Sequence, residues 1–278
     1  ANPQEIKVYD GDNLIRKRQG VYNNYGELEE LISYISEENT TSKKFRYDSN
    51  GNLIETRDAR GSYIRYEYDK ETGQYVEKIA QGGNNISEYI NQIEWDKARG
   101  LKLKETDENS QLMEYKYDNQ GRLKKIYSPY DEVGSTPAIE YEYHTEKGTQ
   151  WWTETKNKIS FDCDDTETIS TVVLIDALGR KVKTAKQGEK TDEEGNSIVG
   201  WNISGAIGYD EKGRQVSVGQ TYFSEQESIF DMLKEDVELI RETTIEYDSQ
   251  EREKYKELPD GSIELREYGI EGDIKYTE

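Results

Sequence analysis

Catalysis needs nucleophiles, bases or metal ligands within reach of one another, and this chain is short of the scarcest of them. Its 278 residues include one histidine, His144, and one cysteine, Cys163. A Ser/His or Cys/His nucleophilic centre has to use that histidine. His144 follows Tyr143, where other parts of the chain carry Tyr-Asp before a turn, so it reads as a turn residue. One His and one Cys also exclude an ordinary His/Cys zinc site, and Cys163 reads as a small hydrophobe. Carboxylates pose the opposite problem. Among 58 Asp and Glu residues, a pair suited to glycoside hydrolysis arises by chance and carries no signal. The oxygen-rich loops at Asp48-Ser-Asn50-Gly51-Asn52, Asp162-Cys-Asp164-Asp165 and Asp192-Glu-Glu-Gly195-Asn196 lack EF-hand spacing and read as solvated turns. Ala80-Gln-Gly82-Gly83-Asn84-Asn85 has no Lys-Ser/Thr after it, so it is no phosphate loop. The expectation is no catalytic, cofactor-binding or metal-ligating residue, and no enzyme. One aromatic cluster remains, Trp151-Trp152. Exposed, it can stack on a sugar or partner; buried, it packs a sheet face, which is the favoured reading.

The elements that would position such residues are set by a recurring phrase. Tyr47-Asp48-Ser-Asn-Gly51 returns as Tyr68-Asp69 with Gly73, Tyr117-Asp118-Asn-Gln-Gly121-Arg122 and Tyr209-Asp210-Glu-Lys-Gly213-Arg214, and in a weaker form as Ile175-Asp176-Ala-Leu-Gly179-Arg180. Anchors run from Asp10 and Asn23 through Asp48, Asp69, Asp96, Asp118, His144, Asp176 and Asp210 to Asp248. Spacing is 21 to 27 residues between Asn23 and His144, then 32, 34 and 38. Periods of that size mark repeat architectures. Asp at the first turn position bonds amides two residues on, and Gly at the fourth takes dihedrals closed to other residues. Tyr66 and Tyr68, two apart, share one face of a strand while Glu67 takes the other. One repeat is therefore two strands and two turns, the second turn looser, as at Asp58-Ala-Arg-Gly61. Such a unit cannot close a core alone, but stacked units extend one antiparallel sheet.

The expected fold is all-β, a curved strip of repeated hairpins over residues 1–278, with shorter periods over 1–158 and longer ones over 159–278. One helix is predicted near 225–240, where Ser224-Glu-Gln-Glu227 has capping-box spacing and Ile229, Phe230, Leu233, Val237 and Ile240 share a face. Residues 26–39, GELEELISYISEEN, sit after a Gly turn and read as strand. Composition agrees with a long thin sheet: 32% hydrophobic residues include 22 tyrosines, and charged residues make up 34%. A net charge of -21 disfavours nucleic acid and anionic membrane as partners. The longest wholly apolar run, Val172–Ile175, is far short of the ~20 residues of a membrane span. The start at Ala1 suggests an excised fragment of a longer protein.

These phrases resemble the YD or Rhs repeat family, Tyr-x-Tyr-Asp-x-x-Gly-Arg-Leu; Tyr115-Lys-Tyr117-Asp118-Asn-Gln-Gly121-Arg122-Leu123 matches every fixed position. Asp176 to Arg180, Trp201-Asn-Ile-Ser204-Gly205, Tyr209 to Arg214 and Tyr222-Phe223 are similar to the repeat region in B components of Tc toxin complexes. The resemblance implies a hollow β-shell that encloses a toxic C-terminal segment, in a secreted or surface-delivered protein. Its partners would be the remaining repeats and the toxin or effector segment of the parent chain. Departures are Asn23 and His144 for Asp, Asn52 for Arg, and Glu251 where Gly ends the turn; these predict distorted turns. A second reading is an extracellular adhesion module that binds a glycan or receptor through Trp151 and Trp152.

Overall fold

A computed structural model describes residues 2–36, 38–84, 86–132, 134–146, 151–160, 166–204, 206–225, 242–269 and 274–277. The chain is all-β, and the described residues contain no helix. The helix expected near 225–240 lies outside the described residues, save its first position, Glu225. Residues Leu28–Tyr34 form a strand, as the Gly-turn position required. Two compact units divide the chain at Pro129 and Tyr130.

The first unit is a meander of β1 (Glu5–Asp10), β2 (Asn13–Tyr22), β3 (Leu28–Tyr34), β4 (Thr40–Tyr47), β5 (Leu53–Arg57), β6 (Tyr63–Tyr68), β7 (Val76–Gly83), β8 (Ile86–Asp96), β9 (Leu101–Thr106), β10 (Leu112–Tyr117) and β11 (Leu123–Tyr127). Each strand pairs antiparallel with the next, from β1 to β11. Among the described residues β1 has no second strand partner, so the sheet is open. Alternation sorts its two faces. Phe45, Thr56 and Ile64 stand opposite one another on one face, and Arg46, Glu55 and Arg65 on the other.

In the second unit the strands are β12 (Ile139–His144), β13 (Trp151–Lys158), β14 (Thr168–Ile175), β15 (Lys181–Thr191), β16 (Ser197–Ser204), β17 (Ile207–Tyr209), β18 (Gln215–Val218), β19 (Tyr222–Ser224), β20 (Thr243–Tyr247), β21 (Glu253–Glu257), β22 (Ile263–Tyr268) and β23 (Ile274–Thr277). β12 to β16 pair in chain order, and β19 closes on β16. β17, β18 and β20 to β23 form a second sheet. The core lies on one face of β13 to β16. Trp152, Val172, Leu174, Ala185, Trp201 and Ile203 are buried there, with Val182 and Tyr222 against them. Cross-strand register explains the set: Trp152 faces Leu174, Val172 faces Ala185, and Ala185 faces Ile203. Below it Lys158 and Asp131 form an ion pair of 3.0 Å whose side chains are 3% and 2% exposed.

Candidate functional site: the turn ladder

The repeated phrase builds one local structure at most of its copies. In Asp48–Asn52 the Asp48 amide donates to the Asn52 carbonyl at 2.9 Å, and the Gly51 amide donates back to Asp48. Asp48 Oδ1 accepts the amides of Asn50 and Asn52 at 2.8 and 2.9 Å. Gly51 has φ +84°, the left-handed region that a Cβ disfavours. The partner register slips by one residue between Arg46 and Tyr47, the mark of a bulge, which sharpens the local twist. Asp118, Asp176 and Asp210 accept the matching amide pairs at 2.9 to 3.0 Å. Their glycines, Gly121, Gly179 and Gly213, have φ of +81°, +77° and +83°. The second carboxylate oxygen accepts Nε of Arg122, Arg180 or Arg214 at 2.7 Å. Burial pushes the Asp118 and Asp210 carboxyls up, but these bonds outweigh it and hold both below the usual range. At Asp176 the Arg180 amide bond is the leading cause of the same lowering.

Variant copies keep the geometry. Asn23 Oδ1 accepts the amides of Tyr25 and Glu27, and its amide nitrogen donates to Glu27 Oε2 at 2.6 Å. The Asp–Arg pair is thus replaced by a neutral donor on an acid. Asn52 stands in for Arg by donating to Asp48 Oδ2 and, at 2.9 Å, to the Gly73 carbonyl of the next turn. Glu251 adopts φ 65° itself and closes the Asp248 turn at 3.1 Å. The distortion expected at these three positions is absent, because backbone bonds and the Asx oxygen fix the turn. Asp69 departs instead: Gly73, at φ +66°, closes onto it one residue later, and the carboxylate is buried. It accepts the amides of Thr72, Gln74 and Tyr75 and the Thr72 hydroxyl. Burial raises its pKa, yet those bonds take it far below the carboxylate range. The turn at Asp58 is no looser than the others, since Asp58 Oδ1 accepts the amides of Arg60 and Ser62.

At or next to the end of several strands an aromatic reaches back to the strand that follows the turn before. Tyr47 Oη donates to the Leu28 carbonyl at 3.1 Å, Tyr68 to Leu53 at 3.2 Å and Tyr117 to Lys102 at 2.8 Å. Trp95 does the same to Val76 through its indole N–H at 2.8 Å. In the second unit Tyr209 donates to Lys181, Tyr247 to Gln215 and Tyr268 to Glu253. Leu28, Leu53, Val76, Lys181, Gln215 and Glu253 are each the first residue of a strand that follows a turn. There the turn arginine also lies on the next tyrosine ring: Arg180 on Tyr209 at 4.3 Å, Arg214 on Tyr247 at 4.5 Å, Arg252 on Tyr268 at 4.1 Å. Asp, Arg and the following Tyr form one repeating chain of contacts.

The remaining candidates are placed as follows. Successive residues on a strand face opposite ways, so Trp152 is buried at 7% exposure and Trp151 stands out at 37%. Burial holds for one member of the pair only. His144 is not the first residue of a turn but the last residue of β12, its ring stacked on Trp152 at 3.6 Å between centroids. Asp192 Oδ1 accepts the amides of Glu194 and Asn196, so that loop's carboxylate serves its own turn. The loop at 162–165 lies outside the described residues. Among the described residues no group of three or more His, Cys, Asp or Glu is arranged to hold a metal ion.

The RHS Repeat family model matches residues 47–78, which contain the turns of Asp48, Asp58 and Asp69. The fold is similar to that of TcdB2-TccC3, at a TM-score of 0.69 and 14% identity over 92% of this chain and 17% of that one. TcdB2-TccC3-TEV gives 0.68 and 12%, over 92% and 19%. Residues 47–78 are an RHS repeat. The chain is also similar to the Tc holotoxin pore of Photorhabdus luminescens carrying the TccC3 mutation D651A, at 0.54 and 12% identity over 93% and 15%. It spans less than a fifth of the length of these structures. No curated protein matches it.

Proposed function

We propose that this YD/Rhs-repeat chain is a structural, non-catalytic wall segment of a larger secreted or surface-delivered protein, and that the wall encloses or presents a C-terminal toxin or effector polypeptide. The turn ladder carries the reading. Turn carboxylates are spent on their own amides and arginines, and turn aromatics on the preceding repeat, so the repeated residues hold hairpins together. The Tyr47, Asp48, Gly51 set and its later copies act as register pins. The experiment is limited proteolysis of the longer protein that contains this chain. The expected result is a downstream segment resistant to protease, which becomes cleavable when Tyr117→Ala and Tyr247→Ala break two rungs. A downstream segment cut at the same rate with and without the rungs overturns the reading.

Trp151 supports a second reading, an adhesion face, because it is partly exposed. A glycan array probed with the chain and with Trp151→Ala separates the two. Binding lost in the variant favours adhesion.

A further inference from the structure

The charged face of the first unit gathers cations that its own carboxylates do not answer. Arg46 stands opposite Glu55, Glu55 opposite Arg65, and Lys44 opposite Arg57. Glu55 is 7% exposed. Its oxygens are taken by Arg57 Nε at 3.2 Å and Arg65 Nε at 2.8 Å. Both guanidiniums also rest on the Tyr63 ring, at 5.0 and 4.2 Å, and Tyr63 donates to Glu88 at 3.0 Å. The two arginines are therefore held in place. Arg46, cross-strand from a carboxylate already occupied, has no ion-pair partner among the described residues, and Lys44 has none either although Glu30 lies opposite. Farther along the same face Lys78 meets Glu67, Lys104 meets Glu94 and Lys116 meets Glu114. Lys44 and Arg46 of β4 are the surplus, without an ion pair among the described residues.

Beside that surplus is an open concavity of about 400 Å³, bordered by Lys44, Arg46, Glu55 and Arg57, with Glu29 and Glu30 at its β3 end. Its cations repeat at ~5 Å across strands and ~7 Å along them, the spacing of alternate side chains on an extended peptide. Arginine forks favour carboxylate. A dense phosphate polymer is repelled by the chain's net charge of -21, whereas a few carboxylates on a peptide are not held off to the same degree. We propose that this face docks an extended polypeptide segment with Asp or Glu at alternate positions, its carboxylates on Lys44, Arg46 and Arg57 and its uncharged end over Glu29 and Glu30. The inference stands whether or not the chain forms a shell wall.

The test uses the whole chain and a fluorescent ten-residue peptide in which six residues alternate Glu and Ser and the other four are Ser, with the matching Lys/Ser peptide as control, read by anisotropy across salt. Affinity is expected to peak near 0.1 M salt, where the Debye length is ~10 Å. Below that the distant acidic residues repel the peptide; above it the local pairs are screened. The double variant Lys44→Gln, Arg46→Gln alters exposed side chains, and unchanged circular dichroism confirms its fold. It should lose at least tenfold in affinity at the peak. Equal affinity in the double variant, no discrimination against the Lys/Ser peptide, or no binding at any salt overturns the proposal. Self-association of the chain that the double variant abolishes also overturns it, by making a second copy the occupant.

Discussion

At Glu251 a side chain sits in left-handed backbone at φ 65°, a conformation that costs an L-residue about 1–2 kcal/mol. Glycine loses about 0.5–1 kcal/mol of chain entropy in the same place, so Glu251→Gly is expected to stabilise by roughly 0.5–1 kcal/mol. A higher urea midpoint checks it; a lower one means that the Lys212–Glu251 contact at 3.3 Å matters more than the strain. The turn aspartates predict a pH dependence. Asp48, Asp69, Asp118, Asp176, Asp210 and Asp248 all have folded pKa values lowered from the usual one. Their contribution is complete above about pH 4 and is lost as pH falls through the lower folded values. Unfolding midpoints should hold from pH 7 to 5 and drop below 4, and Asp69→Asn should lower the plateau and soften the drop. The Asp…Gly turns were legible in the sequence because each residue type has one local job there. Glu251 was not, since the sequence shows the missing glycine but not the backbone bonds that hold the turn without it.

Strands are where burial decides. Ile203 in β16 is 0% exposed, and Ile203→Ala should cost about 2–5 kcal/mol, the usual range for emptying a packed site. Lys158→Ala removes the cation of a buried ion pair and should cost about 3–5 kcal/mol. Urea unfolding followed by tryptophan fluorescence reads both, since Trp152 and Trp201 lie in the same cluster. Its place after a Gly turn made β3 readable as strand despite its helix-like run of Leu, Glu and Ile. Strand alternation, applied to Trp151-Trp152, separates the pair into one core and one surface residue. The side chains gave no clue to the partners of the tyrosine hydroxyls, because a carbonyl accepts whatever its side chain; Leu28, Gln215 and Glu253 share only their place two residues after the one that closes a turn.

Over the whole molecule, stability is uneven and charge works against compactness. The buried apolar cluster belongs to β13 to β16, while every residue of β1 is exposed. Hydrogen exchange should therefore be slowest in β14 to β16 and fastest in β1 and the first half of β2. Equal protection in β1 and β15 contradicts this. With a net charge of -21, raising salt from 20 to 200 mM should raise the melting temperature by screening self-repulsion; a fall means that the turn ion pairs dominate. The tyrosine bonds carry one more consequence. The Tyr47, Tyr68, Tyr117, Tyr209, Tyr247 and Tyr268 hydroxyls each reach back to a carbonyl earlier in the chain, whereas Tyr75 reaches forward to Lys97. At those six rungs a hairpin leaving the ribosome meets an acceptor that has already been synthesised. Growth by this rule has a direction: each of those rungs is finished on the one before it, and the sheet can set as it is made.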